Sequence, residues 1–264
     1  MRPALSDLEK LARQAGGILR EGFHQTNVVN HKGEIDLITE IDMRSETFLL
    51  EEIASKYPEH RVVAEESGGV EGADTCVWFI DPLDGTTNFA HKLPIFSVSI
   101  AFEEDGELAL GVVYDPMHDE CFSAERGKGA WLNGESIAVG STLELSKSLL
   151  VTGFPYDRFV NPDNNLDHFN HFALQVQGIR RLGSAALDLC FVACGRVDGF
   201  WEIRLQPWDL AAGTLIARES GARVTKLDGS PNTYNSAPFN VVAANPKLHE
   251  KMMGVLNGKS GKNS

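Results

Sequence analysis

The stretch Trp78-Phe79-Ile80-Asp81-Pro82-Leu83-Asp84-Gly85-Thr86-Thr87-Asn88-Phe89 decides how this chain reads. Val77–Ile80 is a short, β-rich apolar run that delivers Asp81 at its C-terminal end. Pro82 has no N–H to give a neighbouring strand, which predicts that the ladder stops there. Asp84 follows three residues on, and Gly85 allows a tight turn. Thr86-Thr87-Asn88 then offers hydroxyls and backbone N–H groups at the start of a helical turn. Two carboxylates three apart across a proline turn can converge on one point, and the adjacent N–H groups suit an anion. Carboxylate-bound Mg²⁺ with a phosphate on the N–H groups is one coherent picture. An Asp-Gly turn with an Asp cap is the other.

Two more acidic features bear on that choice. Val63-Ala64-Glu65-Glu66-Ser67-Gly68-Gly69 again ends a β-run in carboxylates before a glycine turn. Pro207-Trp208-Asp209-Leu210-Ala211-Ala212-Gly213 puts Asp209 in the first turn of a helix in the other half of the chain. Taken singly, Asp209 reads as a helix-dipole acid worth ~0.3–1 kcal/mol, and Glu65-Glu66 as a solvated turn. Those readings leave the coincidence unexplained: three acidic loops, each at a strand end or helix start, from both halves.

Outward from these loops, the chain has 264 residues, and 24 Lys+Arg against 37 Asp+Glu give a formal net charge of −13. At ~100–200 residues per domain this allows one large domain or two small ones. A hydrophobic content of 42% is ordinary for a globular chain that buries a core. No stretch approaches the ~18–20 apolar residues of a membrane helix. Met1–Asp7 lacks the apolar core of a signal peptide, so a cytoplasmic protein without membrane contact is expected. The charge weighs against direct nucleic-acid binding, which needs a basic surface. At face value it weighs against an anionic substrate too.

The periodicity predicts a helix over 5–23, with Ser6-x-x-Glu9 like a capping box, and another over 42–56 stopped by Tyr57-Pro58. Runs at 61–64 and 77–80 read as strands. Phe96–Phe102 and Leu108–Tyr114 flank Asp105-Gly106, a hairpin signal. A strand near 120–124 and a turn at Asn133-Gly134 extend an antiparallel meander to about residue 140. Beyond it come strand-like Leu149–Thr152, a polar loop, helices at 165–177, 184–195 and 208–220, and short strands at 178–181, 199–201 and 223–225. The chain thus reads as an α+β half over 1–145 and an α/β half over 146–264.

Other features read plainly. Cys76, Cys121, Cys190 and Cys194 make no zinc pattern and are expected reduced. His24, His31, His91 and His168 have no motif around them. Lys32 precedes the acidic segment at 36–42 and is expected solvated. Glu125–Trp131 is glycine-rich but lacks the strand–loop–helix setting of a phosphate loop, and reads as a β-turn.

Together these motifs resemble the inositol monophosphatase family of Mg²⁺-dependent, Li⁺-sensitive sugar phosphatases, over nearly the whole chain. Asp36-Leu37-Ile38-Thr39-Glu40-Ile41-Asp42 is similar to its Asp-x-Val-Thr-x-x-Asp segment, and Ala64-Glu65-Glu66-Ser67 to its Gly-Glu-Glu-Ser. Asp81–Phe89 resembles its Asp-Pro-Ile/Leu-Asp-Gly-Thr-Thr-Asn-Phe signature, and Pro207–Gly213 its Trp-Asp-x-Ala-(Ala)-Gly signature.

The resemblance implies a layered αβαβα fold, helices alternating with an antiparallel sheet and a smaller mixed sheet, and a homodimer. It implies that Glu65, Asp81 and the Leu83 carbonyl hold one Mg²⁺, and that Asp81 bridges to a second held by Asp84 and Asp209. A third, weaker ion would share Glu65. Thr86, paired with Asp42, would orient the attacking water, and the Gly85 and Thr86 N–H groups would hold the phosphate. Glu202 would contact a substrate hydroxyl, and the Gly183-Ser184-Ala185 backbone the sugar ring. Arg204 stands where many relatives have glycine.

Hard oxygen donors suit Mg²⁺ or Mn²⁺, and no His/Cys cluster favours zinc. Two divalent ions would neutralise the ester, lower the pKa of a bound water and stabilise both oxygens of an in-line displacement. The acids would then recruit the cations that bind an anionic substrate. The implied activity is hydrolysis of myo-inositol monophosphates, because Thr87-Asn88-Phe89 follows the Asp-Gly-Thr of the inositol branch. Fructose-1,6-bisphosphate and nucleotide phosphates are the enzymatic alternatives. A regulatory protein-binding module on this fold is the non-enzymatic one.

Overall fold

The computed structural model describes residues 2–24, 29–31, 37–234 and 238–258, with 29–31 and 37–39 described as backbone only. Asp36 and Lys32 lie outside the described residues. The first helix is α1 (Leu5–Phe23), followed by the paired strands β1 (Val29–His31) and β2 (Leu37–Thr39) and by α2 (Glu40–Lys56). Then come β3 (His60–Ala64), β4 (Ala73–Asp84), α3 (Thr86–Ala90), β5 (Ser97–Glu104), β6 (Glu107–Asp115), β7 (Glu120–Glu125), β8 (Gly129–Leu132) and β9 (Glu135–Ser136). The second half holds β10 (Leu149–Thr152), α4 (Leu166–Ala173), β11 (Gly178–Arg180), α5 (Ala185–Ala193), β12 (Gly199–Leu205), α6 (Pro207–Glu219), β13 (Arg223–Thr225), β14 (Phe239–Ala244) and α7 (Pro246–Leu256).

Among the described residues, β3 to β9 form a seven-stranded sheet in chain order, and a five-stranded sheet runs β11-β10-β12-β14-β13. Side chains alternate along each strand, and the alternation assigns them to different cores. On the large sheet, Trp78, Ile80, Ile100 and Val112 pack with Leu8, Leu11 and Leu49 of α1 and α2. Val77, Phe79, Ala101 and Val113 pack on the other face with Leu187, Leu189, Leu215 and Ile216 of α5 and α6. That same core takes Val151, Phe200, Val241 and Ala243 from the small sheet. The small sheet's other face, Leu150, Trp201 and Val242, is covered by Phe172 of α4 and by Leu248 and Met252 of α7. The result is five layers in the order helices, sheet, helices, sheet, helices. Burial on both faces is why Val77–Ile80 reads as an unbroken apolar run.

Several expectations are corrected. The β4 ladder does not stop at Pro82: Asp81 pairs with Ser99, and pairing resumes at Asp84 opposite Ser97 after a register shift. A bulge leaves Pro82 with no ladder bond to lose. The large sheet is not wholly antiparallel, because β3 runs parallel to β4. The α1 cap is not Ser6-x-x-Glu9; the helix starts earlier, and the Asp7 carboxylate accepts the Ala4 N–H at 3.0 Å. α4 ends at Ala173 rather than 177. β14 and α7 carry no forecast in the sequence reading. Asp105-Gly106 and Asn133-Gly134 both turn with positive φ, as tight hairpins require. The four cysteines are free thiols, and 126–128 is a turn between β7 and β8.

Candidate active site

The site begins at the β4 bulge. In a regular strand, residues three apart face opposite sides of the sheet; the extra residue brings Asp81 and Asp84 to one side. Both are buried, at 2% and 8% exposure. The Leu83 N–H donates to Asp81 Oδ1 at 2.9 Å, and the Thr86 hydroxyl donates to the Leu83 carbonyl at 3.1 Å. Gly85 has φ +100°, and a Cβ there would lie 3.0 Å from the Ile95 carbonyl, so the turn into α3 has no room for a side chain.

Parallel pairing sets Ala64 beside Ile80, so Glu65 leaves β3 next to where Asp81 leaves its partner strand. The Glu65 turn is fixed from α2: the Glu46 carboxylate accepts the N–H groups of Glu66 and Ser67, both at 2.8 Å. Asp42, in the first turn of α2, is fully buried. From the second half, Asp209 accepts the Gln206 N–H at 2.7 Å at the start of α6. It is a helix-capping acid and an acid of this cluster at once. Asp84 is captured by the start of α5: Oδ2 takes the Ala186 N–H at 2.9 Å and the Ser184 hydroxyl, and Oδ1 takes the Ala185 N–H at 3.2 Å. Asn88 closes the same seam, its amide donating to the Ile95 and Leu182 carbonyls.

The electrostatics bind these groups into one cluster. The Asp81 carboxyl is pushed far above the usual carboxylate range, by burial first and then by repulsion from Glu65, Asp84, Asp209 and Asp42. Asp84 is raised by burial, opposed by its bonds to Ser184, Ala186 and Ala185. Burial lifts Asp209 to about 8 against the pull of the Gln206 N–H, with Asp84 and Glu202 adding to the rise. Burial lifts Glu202 to about 8 as well, opposed by Arg181.

Glu65, Asp81, Leu83, Asp84 and Asp209 line one cavity with Gly85 and Thr86, with Gly183, Ser184 and Ala185, and with Glu202. Asp42 does not line it and acts on Asp81 through space. Among the described residues, no three Asp, Glu, His or Cys side chains already stand as a metal cage. The donor set nonetheless fits Mg²⁺: every donor is a hard oxygen, and the acids repel one another around a shared void, a repulsion that a divalent cation would relieve.

The cavity also uses residues that the sequence reading passed over. Arg181 and the loop residues Gly153, Phe154 and Tyr156 line it. A Cβ on Gly153 would overlap the Glu202 carboxylate, so this glycine makes the room in which Glu202 sits. Asp188 lines the cavity at 1% exposure and is pushed up by burial, then by Glu202 and Asp84. Its signal was in view: it is the one acid in the apolar helix Ala185–Ala193. Gly153 gave no signal of its own.

The five alternating layers, with acids from both sheets around an oxygen-lined cavity, agree with the fold that the resemblance to the sugar phosphatases implies. The sequence model of the inositol monophosphatase family matches residues 2–259, and the chain belongs to that family. It is 41% identical over 256 residues to the Nus factor SuhB of Escherichia coli (strain K12), covering 96% of this chain and 95% of that one. It is 46% identical over 244 residues to an inositol-1-monophosphatase of Synechocystis sp., covering 92% and 84%. The solved inositol monophosphatase of Anabaena (Nostoc) sp. PCC 7120 superposes with a TM-score of 0.86 at 43% identity, covering 95% of this chain and 93% of that one. No helix among the described residues is long and apolar enough to cross a membrane.

Proposed function

We propose that this chain is a Mg²⁺-dependent phosphomonoesterase that hydrolyses myo-inositol monophosphates to inositol and phosphate. The observation that carries the reading is the cavity itself: acids from β3, β4 and α6 meet around the Gly85–Thr86 turn, with Glu202 on the polyol side. Glu65, Asp81, the Leu83 carbonyl, Asp84 and Asp209 would hold two or three Mg²⁺, with Mn²⁺ a substitute. When bound, such ions supply charge neutralisation and a water of lowered pKa.

The chain's own residues do the rest. The Gly85 and Thr86 N–H groups, at the start of α3, hold the phosphate oxygens. Thr86, with Asp42 as the partner that the family resemblance implies, orients the attacking water; its hydroxyl donates to the Leu83 carbonyl at 3.1 Å in this structure. Glu202 accepts a ring hydroxyl, and the Gly183-Ser184-Ala185 backbone fixes the ring. On this reading residues 1–145 supply most of the metal ligands, and 146–264 supply Asp209 and the sugar contacts. Li⁺ sensitivity, a homodimer and a cytoplasmic setting belong to the same reading, which the 46% identity to an enzyme named inositol-1-monophosphatase supports. Phosphate release from inositol 1-phosphate, fructose 1,6-bisphosphate and 3′-phosphoadenosine 5′-phosphate with Mg²⁺ tests it. Turnover of fructose 1,6-bisphosphate without inositol 1-phosphate would overturn the first choice.

The relatives named Nus factor support a second reading, a regulatory role exerted through a protein partner. An Asp81→Asn chain that has lost phosphatase activity but keeps the cellular phenotype would favour it.

A further inference from the structure

β12 carries a second bulge beside the same cavity. Glu202 pairs with Val241 and Leu205 with Phe239, so Ile203 and Arg204 oppose Asn240 alone. Arg204 takes φ +63°, a conformation glycine adopts freely and a branched residue does not. Its N–H is held by Asn240 Oδ1 at 3.1 Å. Ile203 turns inward, at 2% exposure, and the Arg204 side chain lines the cavity, two residues beyond Glu202.

One nitrogen of the fork, Nη2, meets Asp157 Oδ2 at 2.8 Å, and both side chains remain about a third exposed. Asp157 belongs to the loop that supplies Gly153–Tyr156 to the cavity wall. That loop is closed at its ends by Asn165, whose amide donates to Thr152 Oγ1 and the Gly153 carbonyl and accepts from Trp201. A guanidinium offers five N–H donors in a planar fork. Among the described residues Asp157 is the one ion-pair partner of Arg204, so a single carboxylate leaves donors open on a fork that borders the cavity. Arg181, exposed on the same wall, adds a second cation and has no ion pair among the described residues.

The phosphate to be cleaved belongs at the Gly85–Thr86 turn, among the acids. The arginines border the Glu202 side, where the alcohol part of the ester goes. A single-phosphate polyol offers only neutral hydroxyls there, which a guanidinium binds more weakly than it binds a second phosphate. We propose that Arg204 is a specificity-determining residue that favours phosphate esters whose sugar carries a second phosphate. This rests on the phosphomonoesterase reading above and deepens it. Asp157 holds the fork in place and competes with the incoming group.

The test compares fructose 1,6-bisphosphate with fructose 1-phosphate, which share the scissile ester and differ in the second phosphate, with inositol 1-phosphate as reference. In Arg204→Gly, whose backbone fits φ +63° without strain, the ratio of kcat/KM for bisphosphate over monophosphate should fall at least tenfold, mostly in KM. Raising ionic strength should compress the wild-type ratio more than the variant ratio, because the contact is charged and partly solvated. Asp157→Asn should raise the ratio. A ratio unmoved by Arg204→Gly, in a wild-type enzyme that turns over inositol 1-phosphate, overturns the role of Arg204 and leaves the phosphatase reading standing. A wild-type chain that releases phosphate from none of the three esters overturns both.

Discussion

The Ala186 N–H donates to Asp84 Oδ2 at 2.9 Å, across 102 residues of sequence. That bond seats an acid of the seven-stranded sheet on the first turn of α5, in the layer the two sheets share. Whatever holds α5 in place therefore also aims Asp84.

On the proposed reading, Asp81→Asn, Asp84→Asn and Asp209→Asn should each lower Mg²⁺-dependent turnover at least ~100-fold while leaving the far-UV circular dichroism intact, since each would remove a metal ligand rather than core packing. In the wild type, saturating Mg²⁺ should raise the unfolding midpoint, because a ligand at ~100 times its Kd adds ~2.7 kcal/mol to the folded state. Asp81→Asn should lose most of that gain. Near-wild-type turnover in any of the three would misplace the site.

Gly153→Ala drives a methyl group into the Glu202 carboxylate. The expected result is a KM for inositol 1-phosphate raised about tenfold, with a smaller fall in kcat, since the phosphate end of the cavity is untouched. Steady-state kinetics decide it: an unchanged KM would mean that Glu202 does not meet the substrate.

Gly111 on β6 faces α6 so closely that a Cβ would stand 2.9 Å from the Ala212 carbonyl. Gly111→Ala should cost about 1–3 kcal/mol of stability by overpacking, read by urea unfolding. Because α6 carries Asp209, the same variant should weaken Mg²⁺ binding. Wild-type stability would mean that the helix yields.

His249 is buried and bonded through Nε2 to Thr225 Oγ1 at 2.9 Å. Burial, then Arg223, pushes its pKa down to about 4. The unfolded chain titrates at ~6.5, so between those values the unfolded state binds more protons. The contribution is thus present above about pH 6.5 and lost as pH falls toward 4. At ~1.4 kcal/mol per unit it is worth up to roughly 3 kcal/mol. His249→Gln should flatten the fall in unfolding midpoint between pH 7 and pH 5 relative to wild type. Parallel curves would remove His249 from the account.

The parts of this molecule that the sequence announces are those written in local chemistry. Asp105-Gly106 and Asn133-Gly134 name their hairpins because few residues tolerate two successive positive φ angles. Asp81 stands out as an acid at the end of an apolar run, Asp84 as its partner across a proline turn, and Asp209 as a first-turn helix acid that joins them only by coincidence of pattern. What escaped is non-local. Whether Pro82 ends a ladder or sits in a bulge depends on Ser99 and Ser97, which pair with Asp81 and Asp84 on either side of it only in the folded sheet. Gly153 matters because of Glu202, and Glu46 because of the turn it holds. Arg204 stands out in the sequence only through the family resemblance, and its tie to Asp157 needs the fold.

The α5/α6 layer that both sheets share also sets an order of events during synthesis. The last strand of the seven-stranded sheet ends at Ser136, whereas the cover for its inner face is complete only at Glu219. At ~5–20 residues per second the ribosome takes seconds to make that interval. For that time a nascent sheet carries Val77, Phe79, Ala101 and Val113 bare to water, open to chaperones and to neighbouring chains. The acids of the β4 bulge border that face, and while they are exposed their charge keeps its edge wet.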